Sequence, residues 1–255
     1  MSYIQTETRH HVLIITLSRP EARNAFNLEM AEEMESIIDC YEADSNLRAA
    51  ILRAEGSTFC AGQDLKAAAA GKLARTAKRG PFGIMKRPPM KPLIAAIDGQ
   101  AFGGGMELTL SCDLVVASAE SLFGLPEVKR GLVAIGGALF RMQNRVPYSI
   151  AMEMILTGEP KSAQEMKQFG LVNSVVAGEQ VLDEALRYAN LIARNGPLAV
   201  KASKSVAITA IYENWSEDEA WDRQMPIVAP VQTSEDLKEG LTAFAQKREP
   251  VWKAR

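Results

Sequence analysis

Leu93-Ile-Ala-Ala-Ile-Asp-Gly-Gln-Ala-Phe-Gly-Gly-Gly-Met-Glu107 joins a short apolar run to three consecutive glycines and an acid. The first five residues are apolar and end at a turn signal, which is typical of a buried strand. The glycines open a second apolar segment that continues through Leu108 and Leu110, so they stand at a predicted helix start. N–H groups at a helix start are unpaired and lie at the positive end of the helix dipole. The stretch therefore predicts a strand, a turn suited to an anion, and a helix.

Strand signals recur on both sides of this unit. Apolar, β-branched runs at 11–17, 49–53, 113–117 and 171–176 each predict a strand. Between the first two runs, Asn27 offers a side-chain oxygen as an N-cap, and apolar residues then repeat every three or four positions. These are Leu28, Ala31, Met34, Ile38 and Tyr41. The repetition of strand, turn and helix predicts a mixed α/β core over residues 1–195.

The pattern becomes helical after about residue 181. An apolar stripe over 182–192 stops at Gly196, and Pro197 suits the first position of a following helix. Thr233 and Asp236 resemble a capping box, which predicts the start of a last helix there. Leu237, Leu241 and Phe244 fall on one face of that helix. Residues 196–255 are therefore predicted to be a helical C-terminal region.

Composition excludes several classes of protein. The 255 residues are 47% apolar and 24% charged, enough to build a core, which excludes intrinsic disorder. No apolar run approaches the ~20 residues that span a bilayer, and the first residues lack an export signal, so we expect a cytoplasmic protein with no membrane partner. The net charge of −2 provides no overall basic surface, so we expect no nucleic-acid partner.

Cysteine and histidine are scarce. Cys40, Cys60 and Cys112 form no C-x-x-C pair, which favours buried reduced thiols over disulfides or a zinc site. The two histidines, His10 and His11, are adjacent in a predicted strand region. A catalytic triad based on histidine or a histidine metal site is therefore disfavoured, and we expect no metal. Any chemistry must come from carboxylates or from the backbone.

The segment between Asp64 and Asp98 contains no acid but several basic residues. These are Lys66, Lys72, Arg75, Lys78, Arg79, Lys86, Arg87 and Lys91. Such a segment either attracts a polyanionic ligand or is a solvated loop. Because residues 66–92 also contain Ala-Ala-Ala-Ala and Pro-Pro, a mobile insertion is one interpretation of this segment.

A second glycine turn, Phe59-Cys-Ala-Gly-Gln-Asp64, also follows a predicted strand. Neither turn has the spacing of the common phosphate-binding motifs. Together, a turn near Gln63 and one near Gly104 can supply two backbone donors to one carbonyl oxygen and stabilise an enolate, by ~3 kcal/mol for each well-placed donor. The alternative is that the glycines only allow helices to pack closely.

Two acids accompany these turns. Glu107 lies one helical turn after Gly104, so its carboxylate can face the same pocket, and Glu127 follows a turn in a small, apolar neighbourhood. Two carboxylates near a thioester are sufficient to activate water and to move a proton to carbon, if burial keeps one pKa high. The alternative for each glutamate is a solvated or ion-paired side chain.

The motifs together resemble those of the crotonase (enoyl-CoA hydratase/isomerase) superfamily over nearly the whole chain. They are Arg19-Pro-Glu-Ala-Arg-Asn-Ala25, Phe59-Cys-Ala-Gly-Gln-Asp64, Phe102-Gly-Gly-Gly-Met-Glu107, Cys112-Asp113 and Phe123-Gly-Leu-Pro-Glu-Val128. The resemblance implies a spiral of ββα units with a helical C-terminal trimerisation region, assembled as a homotrimer or homohexamer. Within the family, residues 61–69, 101–108 and 243–253 look like the carnitinyl-CoA dehydratase branch.

The resemblance also implies a role for individual residues. The N–H groups of Gln63 and Gly104 would form the oxyanion hole for the thioester of an acyl-CoA. Coenzyme A enters as part of the substrate, so no separate cofactor is expected. The implied substrate or CoA contacts are Arg23, Ala61, Asp64, Leu65, Lys66, Phe244 and Lys247, the last two often across subunits. Residues 131–140, which help to shape the acyl pocket in this family, lack the proline common in short-chain hydratases.

Hydratases of this family carry two glutamates at the positions of Glu107 and Glu127. The resemblance therefore implies reversible syn addition of water to a trans-2-enoyl-CoA, or dehydration of a 3-hydroxyacyl-CoA, for example carnitinyl-CoA. Glu107 would activate the water and Glu127 would protonate Cα. Two alternatives remain: a Δ3,Δ2-enoyl-CoA isomerase, which needs one carboxylate, and a non-catalytic or RNA-binding relative.

Overall fold

The apolar runs form strands whose side chains are buried on both faces. In the computed structural model, which describes residues 2–255, each of the five predicted strands is present with slightly shifted ends. The strands in this part of the chain are β1 (Ile4–Arg9), β2 (Val12–Leu17), β3 (Ala49–Ala54), β4 (Thr58–Cys60), β5 (Arg75–Thr76), β6 (Gly80–Pro81), β7 (Leu93–Ile97), β8 (Gln100–Phe102), β9 (Leu114–Ser118), β10 (Leu122–Gly124), β11 (Lys161–Ser162) and β12 (Ser174–Val176).

Helices follow the strands and cover the sheets. Those in residues 2–255 are α1 (Leu28–Ala43), α2 (Leu65–Ala69), α3 (Gly104–Thr109), α4 (Ala138–Arg141), α5 (Tyr148–Thr157), α6 (Ala163–Gln168), α7 (Val181–Ala193), α8 (Pro197–Tyr212), α9 (Glu217–Gln232) and α10 (Glu235–Gln246). Asn27 caps α1 as predicted, because its side chain accepts a hydrogen bond from the Met30 N–H. The mixed α/β class is therefore confirmed.

A six-stranded sheet with the order β1-β2-β3-β7-β9-β12 forms the centre of the molecule. All of its neighbouring strands are parallel except the β1–β2 hairpin. Alternate residues of the parallel strands enter two separate apolar clusters, for example Leu52 on the face toward α1 and Ile51 on the face toward α7. This burial on both faces explains why the strands are continuous apolar runs.

The spiral expected from the resemblance is visible in how the chain visits two sheets. The second sheet has the order β11-β10-β8-β4. In each of three successive turns, the chain adds one strand to the first sheet (β3, β7, β9) and the next strand to the second (β4, β8, β10). The turns that follow β4 and β8 therefore lie side by side, since these two strands pair in parallel.

Three helices, α8, α9 and α10, form most of the C-terminal region, as predicted, and residues 247–255 after them are not helical. The predicted start of the last helix is wrong by one residue. Ser234, not Thr233, is the N-cap of α10, because its hydroxyl accepts from the Leu237 N–H. Asp236 is buried and accepts from the N–H groups of Lys253 and Ala254, so it anchors the chain end rather than completing a capping box.

Part of the segment 66–92 packs into the core, whereas residues 69–73 are exposed, and the mobile insertion stays a prediction. Phe82 is 3% exposed and stacks on Phe26, with ring centroids 4.3 Å apart. Arg79 is buried and pairs with Asp39 at 2.7 Å. These contacts join residues at least 40 positions apart, and local sequence composition contains no sign of them.

The thiols differ from one another. Cys60 and Cys112 are free and buried as expected, and burial raises the pKa of each to about 12. Cys40 is free but exposed, which corrects the prediction of a buried thiol. It lies on α1, whose buried face is formed by other residues, including Ile38 and Tyr41.

Among residues 2–255, no helix is long and apolar enough to cross a bilayer.

Candidate active site

One cleft of about 1450 Å³ is lined by the turns after β4 and β8, by the segment that carries β5 and β6, by the loop before α4 and by the end of α8. It collects nine of the eleven residues predicted for the site. These are Arg23, Ala61, Gln63, Asp64, Leu65, Lys66, Gly104, Glu107 and Glu127. Six of the eight basic residues of the acid-free segment also line it, namely Lys66, Arg75, Lys78, Arg79, Lys86 and Arg87. The cleft is therefore lined by several cations, by buried Glu107 and by half-buried Glu127.

The glycine turn before α3 presents a free backbone donor. Gly103 adopts a φ of +56°, which an L-residue rarely adopts, and its N–H donates to the Gly124 carbonyl at 2.9 Å. The next N–H, that of Gly104, has no hydrogen-bond acceptor within residues 2–255. Gly104 is the first residue of α3 and lines the cleft. A donor on the cleft wall is thus available to a ligand.

The turn after β4 provides a second donor. Phe26 pairs with this turn on both sides of Gln63, because its N–H donates to the Gly62 carbonyl and its carbonyl accepts from the Asp64 N–H, each at 2.8 Å. The Gln63 N–H between them lacks an acceptor in the described chain. The side chain of Gln63 is used separately, since its Oε1 accepts from the Ala74 N–H. The turn is therefore held rigidly while one N–H stays free.

The two turns are in direct contact, and glycine makes this possible. A Cβ on Gly62 would lie 3.0 Å from the Gly104 nitrogen and would cover that donor. A Cβ on Gly104 would lie 2.5 Å from Phe82 Cζ, and one on Gly105 would lie 2.1 Å from the Cys60 carbonyl oxygen. The same glycines thus allow close packing and leave the Gly104 amide uncovered, and binding of a carbonyl oxygen by this amide stays a prediction.

Glu107 is held in the cleft by backbone donors. Its side chain points from the first turn of α3, the residue is 5% exposed, and Oε1 accepts from the Ala138 N–H at 3.1 Å. A Cβ on Gly136 would lie 2.5 Å from Oε2, so the loop before α4 passes tightly over the carboxyl. Burial raises the pKa of Glu107 to about 7, opposed by the backbone hydrogen bonds and assisted by the charge of Glu127.

Glu127 approaches the glycine turn from a different segment. It lies in a short 3-10 helix, Pro126–Arg130, and its Oε1 is 3.2 Å from the position that a Cβ on Gly103 would occupy. Its Oε2 is buried and has no hydrogen-bond partner among the described residues. Burial raises the pKa of this carboxyl as well. A half-buried carboxyl whose buried oxygen is unpaired is suited to hold a proton for transfer.

The other predicted contacts have different environments. Asp64 is not free for a ligand, because it caps α2 through the N–H groups of Lys66 and Ala67 and pairs with Arg19 at 2.9 Å. Lys66 and Leu65 are exposed at the mouth of the cleft. Arg23 adopts the left-handed conformation, and its carbonyl accepts from the Ala61 N–H at 3.0 Å.

Phe244 and Lys247 lie outside the cleft of their own chain. Phe244 is 86% exposed on α10, on the same face as the exposed Leu237 and Leu241, and Lys247 is the C-cap of that helix. The predicted face exists, but nothing in the described part of this chain covers it. Contacts with coenzyme A from these two residues therefore require a second copy of the chain and stay a prediction.

Sequence reasoning missed the residues that support Glu107. The Ala138 amide, the guanidinium of Arg141 and the hydroxyl of Tyr212 all lie beside the cleft, although Tyr212 belongs to the C-terminal region. The Gly136-Gly137 pair is a usable signal, because Gly137 has a φ of +119° at the N-cap of α4. Its connection to an acid about 30 residues earlier has no local sequence signature.

Known proteins match the chain over nearly its full length. The family described as enoyl-CoA hydratase/isomerase matches residues 7–255. The mevalonyl-coenzyme A hydratase SIDH of Beauveria bassiana is 38% identical to this chain, and the match covers 95% of this chain and 91% of the hydratase. The carnitinyl-CoA dehydratase of Proteus mirabilis is 40% identical, with 97% of both chains covered. The crystal structure of an enoyl-CoA hydratase from Mycobacterium tuberculosis H37Rv superposes with a TM-score of 0.95 at 46% identity over 99% of both chains. The chain belongs to the enoyl-CoA hydratase/isomerase family.

Proposed function

We propose that this protein is a hydro-lyase that adds water reversibly to the double bond of a trans-2-enoyl-CoA, or removes it from a 3-hydroxyacyl-CoA. One observation carries the proposal: buried Glu107 and half-buried Glu127 line one cleft beside the same glycine turn, where the Gly104 N–H has no acceptor among the described residues. Hydration needs a group to activate water and a group to protonate carbon, and this cleft offers both. The hydratase and dehydratase names of the similar proteins support the same reaction class.

In the proposed reaction, Glu107 accepts a proton from water as the water oxygen bonds to Cβ. The electron pair of the Cα–Cβ double bond moves toward the thioester and produces an enolate-like oxygen. Glu127 donates a proton to Cα, so the product gains one hydrogen and one hydroxyl, and the pair of acids keeps one proton in total. Because both glutamates line the same cleft, they are proposed to act on one face of the double bond, which makes the addition syn.

The Gln63 and Gly104 amides are proposed to hold the thioester oxygen. Both N–H groups are free within residues 2–255, and the contact between Gly62 and Gly104 keeps the two turns together. Donors fixed in a water-poor cleft stabilise developing negative charge by ~3 kcal/mol each, because they need not reorient during the reaction. The backbone thus bears the charge while the side chains move the protons.

The cations that line the cleft are proposed to hold the phosphates of coenzyme A. Lys66 and Arg23 line the cleft, and no acid of residues 2–255 lies within salt-bridge distance of either side chain. Lys78 and Arg79 pair with Asp39 instead, so they support the wall. Coenzyme A enters as part of the substrate, and we propose no separate cofactor.

We further propose a homotrimer or homohexamer in the cytoplasm. Exposed apolar side chains on the C-terminal helices support assembly, among them Trp221, Leu241 and Phe244. The free thiols Cys60 and Cys112 fit a reducing compartment. In the assembly, Phe244 and Lys247 of one copy would contact the coenzyme A bound by a neighbour.

The experiment that tests the proposal supplies crotonyl-CoA and follows the absorbance of the conjugated thioester. Hydration removes this absorbance. A Δ3,Δ2-isomerase, the nearest rival, would instead increase it when given a 3-enoyl-CoA. Loss of absorbance with crotonyl-CoA supports the hydratase, whereas activity confined to the 3-enoyl substrate refutes it.

We propose that the preference for one acyl group over another depends on cleft residues other than Glu107 and Glu127. Relatives named for mevalonyl and carnitinyl esters are similar to this chain at nearly equal identity, 38% and 40%. A screen of short, long, branched and trimethylammonium acyl-CoAs, scored by kcat/KM, selects among these groups. A preference for the trimethylammonium ester would place the protein in the carnitinyl-CoA dehydratase branch.

A further inference from the structure

Arg141 is a buried cation without a carboxylate partner. The residue is 6% exposed, and no acid of residues 2–255 lies within 4.0 Å of its guanidinium. All of its side-chain hydrogen bonds go to neutral acceptors: Nε donates to the Tyr212 hydroxyl at 3.1 Å, Nη1 to Ser111 Oγ at 3.0 Å, and Nη2 to the Met85 carbonyl. Burying an unpaired charge is unfavourable, so this position calls for an explanation.

The contacts of Arg141 connect it to both the main chain and the carboxylate of Glu107. Arg141 ends the short helix α4, which begins at Ala138, the residue whose N–H donates to Glu107 Oε1. On the other side, Ser111 accepts from Arg141 and donates to the Glu107 carbonyl at 3.0 Å. The guanidinium therefore joins the backbone of Glu107 to the loop that holds its carboxylate.

The same guanidinium also fixes the walls around that carboxylate. A Cβ on Gly136 would lie 2.6 Å from Met85 Sδ and 2.5 Å from Glu107 Oε2, so both side chains lie against Gly136. Arg141 holds Met85 through its carbonyl and reaches Tyr212 at the end of α8. The loop over Glu107 is thus attached to three other segments through one side chain.

We infer that Arg141 is a positioning residue for water activation: it holds α4 and the Ala138 amide against Glu107, so that the carboxylate is oriented toward the proposed water site. This inference rests on the proposed hydratase function. Arg141 does not touch the reacting atoms in this account. Its loss changes the orientation of Glu107 and therefore lowers turnover more than it weakens substrate binding.

Arg145 offers a matched control for the test. It lies four residues later, is half-buried, and donates to the carbonyls of Cys112 and Asp113, but it does not line the cleft. With crotonyl-CoA, Arg141→Met is expected to lower kcat by about tenfold or more, with KM within about threefold of wild type. Arg145→Met is expected to keep kcat within about twofold. Equal losses in both variants, or an unchanged kcat in Arg141→Met, would overturn the inference.

A second set of variants decides the question if Arg141→Met does not fold. Ser111→Ala and Tyr212→Phe each remove one hydroxyl from the network, and Ser111→Ala is expected to lower kcat with little change in KM. Combined with Arg141→Met where that variant folds, Ser111→Ala is expected to add little further loss, because both act on Glu107 together. Arg141→Lys should recover part of the lost kcat. A wild-type kcat in Ser111→Ala and Tyr212→Phe contradicts the inference.

The two proposals fail in different ways. A wild-type protein that does not hydrate any enoyl-CoA defeats the proposed function. A wild-type protein that hydrates crotonyl-CoA, with an Arg141→Met variant that does so equally well, defeats only the role of Arg141.

Discussion

The cleft and the C-terminal helices are built in opposite ways. The cleft wall consists of segments that are fixed by buried contacts, such as the stack of Phe26 on Phe82 and the 5% exposure of Glu107. By contrast, α9 contributes no buried residue, and α8 contributes only Ala202 within the described chain. Large apolar side chains, including Trp221 and Phe244, stay exposed there. The core therefore completes the proposed catalytic geometry within one chain, whereas the helical region leaves an exposed apolar surface, where we propose that another copy binds.

The largest loss of activity is expected from a change in the backbone of the cleft, which tests whether the cleft alone determines turnover. Gly104→Val is expected to lower turnover of crotonyl-CoA below about 1% of wild type, because the new side chain meets Phe82 and displaces the proposed oxyanion donor. Gly71→Asn is the control, since Gly71 has a positive φ but no atom within 4 Å of its Cβ position, and Asn tolerates that conformation. Turnover near wild type in Gly104→Val would show that this amide is not used.

The next largest effect is expected from the two acids. Glu107→Gln and Glu127→Gln should each lower kcat by ~10²–10⁴, because each removes one proton transfer, while KM changes little. In Glu107→Gln, the Ala138 N–H can still donate to the amide oxygen of the new side chain, so folding should be kept. Glu120→Gln, at an exposed acid between β9 and β10, serves as the control. A variant with wild-type kcat would identify its glutamate as structural.

A smaller and graded effect is expected from pH. Activity requires one proton on the acid pair, so kcat/KM should fall about tenfold per pH unit on the acid side, where both carboxyls are protonated. It should fall again on the alkaline side, where both are ionised. Because burial raises the pKa of Glu107 to about 7, the profile between about pH 5 and 9 should be bell-shaped. A flat profile over this range would contradict the role of the pair.

The same pKa also predicts a change in stability. Below about pH 4.5 Glu107 is protonated in both the folded and the unfolded chain, so its raised pKa does not change the free energy of unfolding there. As pH rises toward 7, the unfolded chain gains a solvated charge that the folded chain resists, and folding becomes less favourable. Glu107→Gln should therefore raise the free energy of unfolding by up to about 3 kcal/mol above about pH 7, and not at about pH 4. Denaturant unfolding at the two pH values measures this difference.

The smallest effect on turnover is expected in the C-terminal region. Phe244→Ser should weaken assembly and raise KM for the CoA ester several-fold, with kcat within about threefold, because the acids lie in another part of the chain. Sedimentation velocity measures the assembly, and Lys238→Ser on the same helix is the control. A loss of kcat comparable to that of the glutamate variants would remove the contrast between the two regions.

Sequence predicts those features that depend on neighbours along the chain. Apolar runs identify five strands, β2, β3, β7, β9 and β12, and the position of Asn27 before an apolar stripe identifies the cap of α1. The last cap is predicted at Thr233 instead of Ser234, since two adjacent hydroxyl residues offer equivalent local signals. The resemblance of the motifs indicates both glutamates and both glycine turns, which the fold brings to one cleft.

Features that depend on distant contacts are not predictable in this way. Residues 66–92 are open to interpretation as a mobile insertion because the partners of Phe82 and Arg79 lie on and before α1. The support of Glu107 by Ala138 and Arg141 comes from a loop about 30 residues later. In each case the stabilising partner is far away in sequence. The spacing of apolar and polar residues near either partner does not indicate the contact.

The close approach of Gly62 to Gly104 limits which residues of the cleft can be substituted during evolution. Every other amino acid adds a Cβ, and at these positions that carbon meets backbone or an aromatic ring. Glu107 and Glu127, in contrast, can each be exchanged for a residue of similar size. Replacement of the acids can therefore change the reaction, while the geometry of the glycine turns and of the oxyanion donors that we propose there is kept.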